Sequence, residues 1–150
     1  MDSPRQDKTW KVDAVDEFTA WLKDLDPPVQ EKVVALRRLL ERHGPTLGRP
    51  YADRIRGSTH HNLKELRPSS SQEEALRVLY YFDPARSAVL LVGGDKAADW
   101  SGWYDTNIPI ADARIARHET TLRHRAAIRT QEAREQAPGV PRPTTRKRRR

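Results

Sequence analysis

Apolar positions along this chain recur with two different periods, and the changes of period divide it into elements. Near the start Trp10, Val12 and Ala14 alternate with Lys11 and Asp13, a short period-two run that suits an edge strand. Phe18, Trp21, Leu22 and Leu25 then fall at i, i+3, i+4 and i+7, which predicts a helix with one apolar face and Asp16 as its N-terminal cap. Asp26, Pro27 and Pro28 end that helix and open the next, because proline is tolerated in a first turn and not in a helix interior. The second helix, residues 28–43, turns Val29, Val33, Leu36 and Leu40 inward, and Gly44 with Pro45 behind it is the expected stop. The pair reads as a helical hairpin whose role is scaffold.

Residues 46–61 are loop-rich, with at most a short strand at 54–56. Three apolar runs follow within residues 62–96: 63–67, closed by Pro68 and three serines; 75–82, closed by Asp83 and Pro84; and 88–92, closed by Gly93 and Gly94. The DPARS connection at 83–87 is short and made of turn residues, so the last two strands pair antiparallel and the sheet is a meander. Trp100, Trp103 and Tyr104 fall in an aromatic loop over residues 100–107. Ile108, Ala111, Ile115 and Leu122 then predict a final helix from about Pro109 to about Ala133. The fold class is α+β: a small antiparallel sheet, covered by helices on one face, packed against an N-terminal helical hairpin and a C-terminal helix. Residues 10–135 form the domain, between a disordered start at 1–9 and a disordered basic tail at 136–150.

Composition sharpens this outline. With 36% hydrophobic and 33% charged residues in a chain of 150, the core is compact, and a large enzyme with a deep apolar pocket is excluded. The net charge of +7 points to an anionic partner, yet six of the positive groups are Arg142, Arg146, Lys147, Arg148, Arg149 and Arg150. The body is therefore close to neutral, and its basic residues matter only where they cluster. The absence of cysteine removes disulfides and thiolate zinc sites. The polar, acid-containing first ten residues do not resemble a secretory signal, and no apolar run reaches the length of a membrane span. A soluble cytoplasmic protein without a membrane partner is expected.

Candidate chemistry gathers on the predicted sheet. Arg67 and Arg77 flank the serine-rich connection, and Lys96 ends the next strand. Alternation puts Arg77, Leu79 and Tyr81 on one face and Leu76, Val78, Tyr80 and Phe82 on the other, which suits packing against helices. Arg77 would then point away from the core, and with Glu65 and Arg67 aimed the same way a charged patch forms on the open face. Guanidinium forks hold phosphate in two places and stay charged, and a nearby lysine or tyrosine could move protons. An ordinary solvated sheet face is the alternative, and these residues alone leave both readings open. His43, His60 and His61 lack the spacing and carboxylate partners of a metal site. GGDK lacks the context of a nucleotide loop, and no Ser-His-Asp arrangement can be drawn. The tryptophan-rich loop could stack on bases, and the tail would bind any polyanion without choosing a sequence.

The order of parts, with the words LGRPYADRIRG, KELR, LRVLYYFDP, AVLLVGGDK and IPIADARIARHE, is similar to the RelE/HigB superfamily of toxin–antitoxin toxins, in its HigB-like branch. The resemblance implies a RelE-like fold and a ribosome-dependent mRNA endonuclease (mRNA interferase), in which a ribose 2′-hydroxyl attacks the adjacent phosphate without metal or cofactor. It carries catalytic roles onto Arg77, Lys96 and Tyr104, and the KELR word adds Lys64, Glu65 and Arg67. On this reading Arg77 and Arg67 stabilise the phosphate, Lys96 and Tyr104 assist proton transfer, and Lys64, Arg54 and Arg56, with His61, hold RNA. The general base is open among Lys96, Tyr104, Glu65 and His61. A helix-turn-helix antitoxin is implied as partner, with operator DNA reached only through the complex of the two. The chain departs from the pattern in pairing Asp95 with a single Lys96 after the last strand. Two other functions stay open: a ParE-like toxin acting on DNA gyrase, and a non-catalytic nucleic-acid-binding module.

Overall fold

The computed structural model describes residues 9–60, 62–68, 75–97 and 100–137. The elements are β1 (Val12–Ala14), α1 (Asp16–Lys23), α2 (Pro27–His43), β2 (Ala52–Arg54), β3 (Lys64–Leu66), β4 (Leu76–Phe82), β5 (Ala88–Asp95) and α3 (Trp100–Gln136), with a short 3₁₀ turn at Gly44–Thr46 after α2. The five strands form one sheet in the order β1-β5-β4-β3-β2. β2 to β5 make the expected antiparallel meander. The expected edge strand β1 joins parallel to β5, pairing Val12 with Ala88 and Ala14 with Leu90. The mixed α+β architecture, with its helical hairpin and C-terminal helix, is as the sequence pattern indicates.

The hairpin forms for the expected reasons. Val33, Leu36 and Leu40 are buried on one stripe of α2, and Phe18 is the buried anchor of α1. Gly44 takes a left-handed φ of 56° at the end of α2, where an added Cβ would run into the Trp10 ring. Asp16 is not the cap of α1: Val15 holds that position, and Asp16 sits in the first turn, where its charge still favours the helix N-terminus. Between β4 and β5 the turn closes on Asp83, whose Oδ1 accepts the Ser87 N–H at 2.9 Å while Arg86 takes a left-handed φ of 69°.

Three expectations change. The first strand after the hairpin lies at Ala52–Arg54 rather than at 54–56, since pairing Ala52 with Leu66 buries Ala52. β5 runs through Gly93 and Gly94 to Asp95 instead of stopping at them. Both glycines are seats for indoles: a Cβ at Gly93 would collide with Trp21 of α1, and one at Gly94 with Trp103 of α3. Adjacent strand residues face opposite ways, so the two tryptophans mark helices on both faces of the sheet, not one. Finally, the residues expected as an aromatic loop are the start of α3, which begins at Trp100 and carries Pro109 inside it. Gly102 and Pro109 disfavour helix locally, and packing of Trp103, Ile108, Ala111 and Ile115 against the core overrides them.

Pairing of β4 with β5 slips between Leu79 and Tyr80, which oppose Val92 and Leu90 and leave Leu91 unpaired in a bulge. Arg114 of α3 donates Nη1–H to the Leu91 carbonyl at 2.7 Å, satisfying the acceptor that the bulge leaves over. The chain separates into two compact units, residues 1–116 and 117–150. The first contains the sheet and core. In the second, residues 117–136 continue as helix with mostly exposed side chains. The expected disordered segments at 1–9 and 136–150 lie almost wholly outside the described residues. Among the described residues no helix is long and apolar enough to cross a membrane.

Candidate functional site

Strand register assembles the site. Asp53, Glu65, Leu79 and Val92 form one cross-strand row, and Arg77 opposite Gly94 belongs to the row two residues along. Glu65, Arg67, Arg77 and Gly94 therefore share a face by the two-residue period, as the sequence pattern suggests. That face is not open. The start of α3 lies on it, with Trp103 against Gly94 and the Tyr104 hydroxyl 2.6 Å from Glu65. Arg77 is 4% exposed, Glu65 5% and Lys96 6%, so the expected solvent-facing patch is a buried cluster.

Glu65 is its centre. Its Oε1 accepts the Tyr104 O–H, with Arg77 Nε at 3.7 Å, and its Oε2 pairs with Arg67 Nη2 at 3.1 Å. Arg67 Nη2 also reaches Asp53 Oδ2 at 2.9 Å, and Arg49 pairs with the same oxygen at 2.8 Å. Lys96 Nζ donates to the Tyr104 oxygen at 3.2 Å and lies 3.8 Å from the centroid of the Trp100 ring. Among the described residues the cluster gathers Arg67, Arg77 and Lys96, with Arg49 at its exposed edge, beside the carboxylates of Asp53 and Glu65. The buried Nε of Arg67 finds no hydrogen-bond partner among the described residues.

These surroundings move protons in opposite directions. Burial lowers the pKa of the Lys96 ammonium below the ordinary lysine value; the Arg77 and Arg67 charges push the same way, and Glu65 opposes them in part. Burial raises the Tyr104 phenol to about 12, and its bond to Glu65 adds to the rise. For Asp53 burial works upward, but the Arg54 N–H together with the Arg49 and Arg67 charges brings the carboxyl below its usual range. An amine that loses its proton more easily stands beside a phenol that keeps its own, the pairing that separates a base from an acid.

The structure brings together Glu65, Arg67, Arg77, Lys96 and Tyr104. It does not bring in Lys64, which pairs across from Tyr80 and Arg54 on the opposite face, its Nζ 5.8 Å from the Phe82 ring centroid. Arg54 and Arg56 stay outside the cluster and line an adjoining groove of about 510 Å³ with Ser58 and the cluster's own Arg49 and Asp53. His61 lies outside the described residues. Asp53 and Trp100 are members that the sequence reading missed. Lys96, Trp100 and Tyr104 stand at four-residue spacing, a helical signal hidden by treating residues 100–107 as a loop. Among the described residues no group of His, Asp and Glu comes together that could hold a metal ion.

Residues 20–116 match the family described as phage derived protein Gp49-like. Over 109 residues, 73% of the chain, it is 47% identical to HigB2 of Mycobacterium tuberculosis, a protein classed as a candidate toxin, and the chain spans about half (54%) of that relative's length. HigB3 of the same organism, also a candidate toxin, is 52% identical over 94 residues, which cover 63% of this chain and 80% of HigB3. Solved structures with some similarity are the archaeal RelE–RelB complex from Pyrococcus horikoshii, with 15% identity, TM-score 0.45 and coverage of 59% of this chain and 97% of that one. A mutant of E. coli RelE in the free state gives 12% identity and TM-score 0.46, covering 61% of this chain and 88% of that one. With the family matched across the sheet and the start of α3, and HigB3 more than half identical over four fifths of its own length, the chain belongs to the Gp49-like family alongside the mycobacterial HigB proteins.

Proposed function

We propose that the chain is the toxin of a type II toxin–antitoxin pair, a cytoplasmic protein that stops translation by cutting mRNA on the ribosome. The observation that carries this reading is the convergence of Arg67, Arg77, Lys96 and Tyr104 around Glu65 at one place under the start of α3. Two guanidiniums, an amine and a phenol within reach of one another are the groups that a phosphodiester needs for charge neutralisation and proton transfer. The buried Nε–H of Arg67, without a hydrogen-bond partner among the described residues, suits an incoming phosphate oxygen.

In the proposed reaction the Arg67 and Arg77 guanidiniums hold the scissile phosphate and offset the charge that builds on its oxygens as the ribose 2′-oxygen adds to phosphorus. Lys96, with its lowered pKa, supplies the neutral amine that takes the 2′-hydroxyl proton. Tyr104, kept protonated by burial and Glu65, gives its proton to the departing 5′-oxygen. The P–O5′ bond breaks, leaving a 2′,3′-cyclic phosphate and a 5′-hydroxyl, and the proton on Lys96 returns to Tyr104 across their 3.2 Å contact. Glu65 orients Tyr104 and both arginines. The scheme uses no metal or cofactor. Trp100, Trp103 and Tyr104 cover the cluster, so a phosphate enters only when the first turn of α3 draws back. Arg54 and Arg56 would hold RNA outside the cluster, and a helix-turn-helix antitoxin would restrain the toxin and carry it to operator DNA.

Expression of the wild type and of Arg77→Ala, with mRNA ends mapped by primer extension with and without ribosomes, tests the reading. New ends that need both ribosomes and Arg77 are expected. Toxicity undiminished in Arg77→Ala, or toxicity through gyrase with intact mRNA, would overturn it.

A further inference from the structure

The outward side of α2 carries a groove that the reaction does not use. Lys32, Ala35, Leu39 and Arg42 fall at i, i+3, i+7 and i+10, a stripe beside the one that buries Val33, Leu36 and Leu40. With Tyr51 before β2 and Pro68 after β3 they enclose a groove of about 460 Å³. Its floor is apolar: exposed Ala35, half-buried Leu39, the side of Leu36 and the Tyr51 ring, which is 37% exposed. Its rim is cationic, with Lys32, Arg38 and Arg42 all exposed and no acidic side chain among the described lining residues. From Lys32 to Arg42 the stripe is about 15 Å long, close to three turns of a docked helix.

We infer that this groove receives an acidic amphipathic helix of a partner protein. Leucine-like side chains on one face of that helix fill the floor, and glutamates or aspartates flanking them meet Lys32, Arg38 and Arg42. Charge complementarity selects the occupant. A nucleic acid would satisfy the rim cations but would leave an aliphatic floor against sugar and phosphate, whereas an acidic amphipathic helix satisfies both. The Arg67 N–H donates to the Tyr51 carbonyl at 2.8 Å, which ties the groove to the cation cluster. The inference goes beyond the reaction proposed above and does not rest on it.

Fluorescence anisotropy on the full chain tests it with three probes: a synthetic helix bearing a leucine stripe flanked by glutamates, a peptide of the same composition with the leucines spread around the helix, and a single-stranded RNA. The striped peptide is expected to bind at least about tenfold tighter than its scattered isomer, and Arg38→Glu with Arg42→Glu to weaken it by about tenfold or more. A lysine-flanked version of the stripe should in turn prefer the charge-reversed protein. Should that variant melt early, Arg38→Gln with Arg42→Gln gives the same readout with a smaller loss. Absence of peptide binding, equal binding of the two isomers, or indifference to the rim substitutions would overturn the inference. So would RNA binding that needs Arg38 and Arg42 while the striped peptide does not, which would assign the groove to nucleic acid.

Discussion

Replacing Arg77 by methionine separates a functional cluster from a structural one, because the two roles predict opposite balances of stability and activity. The substitution keeps most of the buried aliphatic volume and removes the charge. It gives up the bond from Arg77 Nη1 to the Leu76 carbonyl at 2.8 Å, worth about 1.5 to 3 kcal/mol for a charged donor. It also gives up the attraction to Glu65 at 3.7 Å, about 4 kcal/mol at an effective dielectric of roughly 20. Against this, Arg77 stops repelling Lys96, whose proton affinity it lowers. The cost of keeping a guanidinium away from water, several kcal/mol, also disappears. The lowered pKa of Lys96, with Arg77 among its causes, points to the same repulsion.

Loss and relief oppose one another, as when a buried charge is replaced by an apolar side chain of similar volume, so Arg77→Met should lie within about 1 to 2 kcal/mol of wild type, a change in Tm of a few degrees. Its ribosome-dependent cleavage should fall by about 10² to 10³, the usual loss when one preorganised group facing transition-state charge is removed. Calorimetry and single-turnover cleavage of a ribosome-bound message read the two quantities on the same preparation. A drop in Tm beyond about 10 °C with cleavage retained would refute the reasoning, since it would make Arg77 part of the framework and not of the chemistry.

Other consequences are narrower. If neutral Lys96 takes the proton, cleavage should rise with pH along a limb centred below 10.5, the free-lysine value, and Lys96→Arg should abolish the limb; a flat profile removes Lys96 as base. Linkage gives a companion effect on stability. Between the lowered folded pKa and 10.5 the unfolded chain binds more protons at Lys96, so its share of stability grows as pH rises. The share owed to Tyr104 is lost as pH climbs from 10 towards 12, and urea titrations of Tyr104→Phe across that window should show the loss disappear. The Tyr80 hydroxyl is buried with no hydrogen-bond partner among the described residues, so Tyr80→Phe should raise stability by about 1 kcal/mol in thermal melts, and a lower Tm would contradict that burial. Gly94→Ala should cost about 1 to 3 kcal/mol by driving a Cβ into Trp103, with a matching loss of Trp103 burial seen in fluorescence.

How far the sequence disclosed this molecule depends on which elements carry their own signal. The hairpin was legible because its stripe, its prolines and Gly44 all agree locally, and the meander because the DPARS turn has a single economical solution. The site residues were legible as a set: Glu65, Arg67 and Arg77 share a face by strand period alone, and Lys96 follows two residues after Gly94. Their exposure was not legible. Gly93 and Gly94 read as a strand stop, since the sequence contains no mark of the two indoles that occupy the missing side chains. Gly102 and Asn107 read as loop, and Pro109 as the start of a helix instead of its interior, for the same reason: the packing that holds them helical is contributed by the sheet.

The burial of the cluster follows from that one tertiary contact and changes what its charges do. On an open face Arg77 and Lys96 would be screened by water and Lys96 would keep an ordinary proton affinity. Under Trp100, Trp103 and Tyr104 the same groups repel one another at low dielectric, and Lys96 is drawn towards neutrality while Tyr104 holds its proton. On the proposed reading the covering turn of α3 is both the barrier to a substrate and a source of the proton affinities that the cleavage needs. In the proposed reaction a phosphate that displaces Trp100 from Lys96 would bring negative charge between Lys96 and the two arginines, so entry of the substrate would also relieve the repulsion among them.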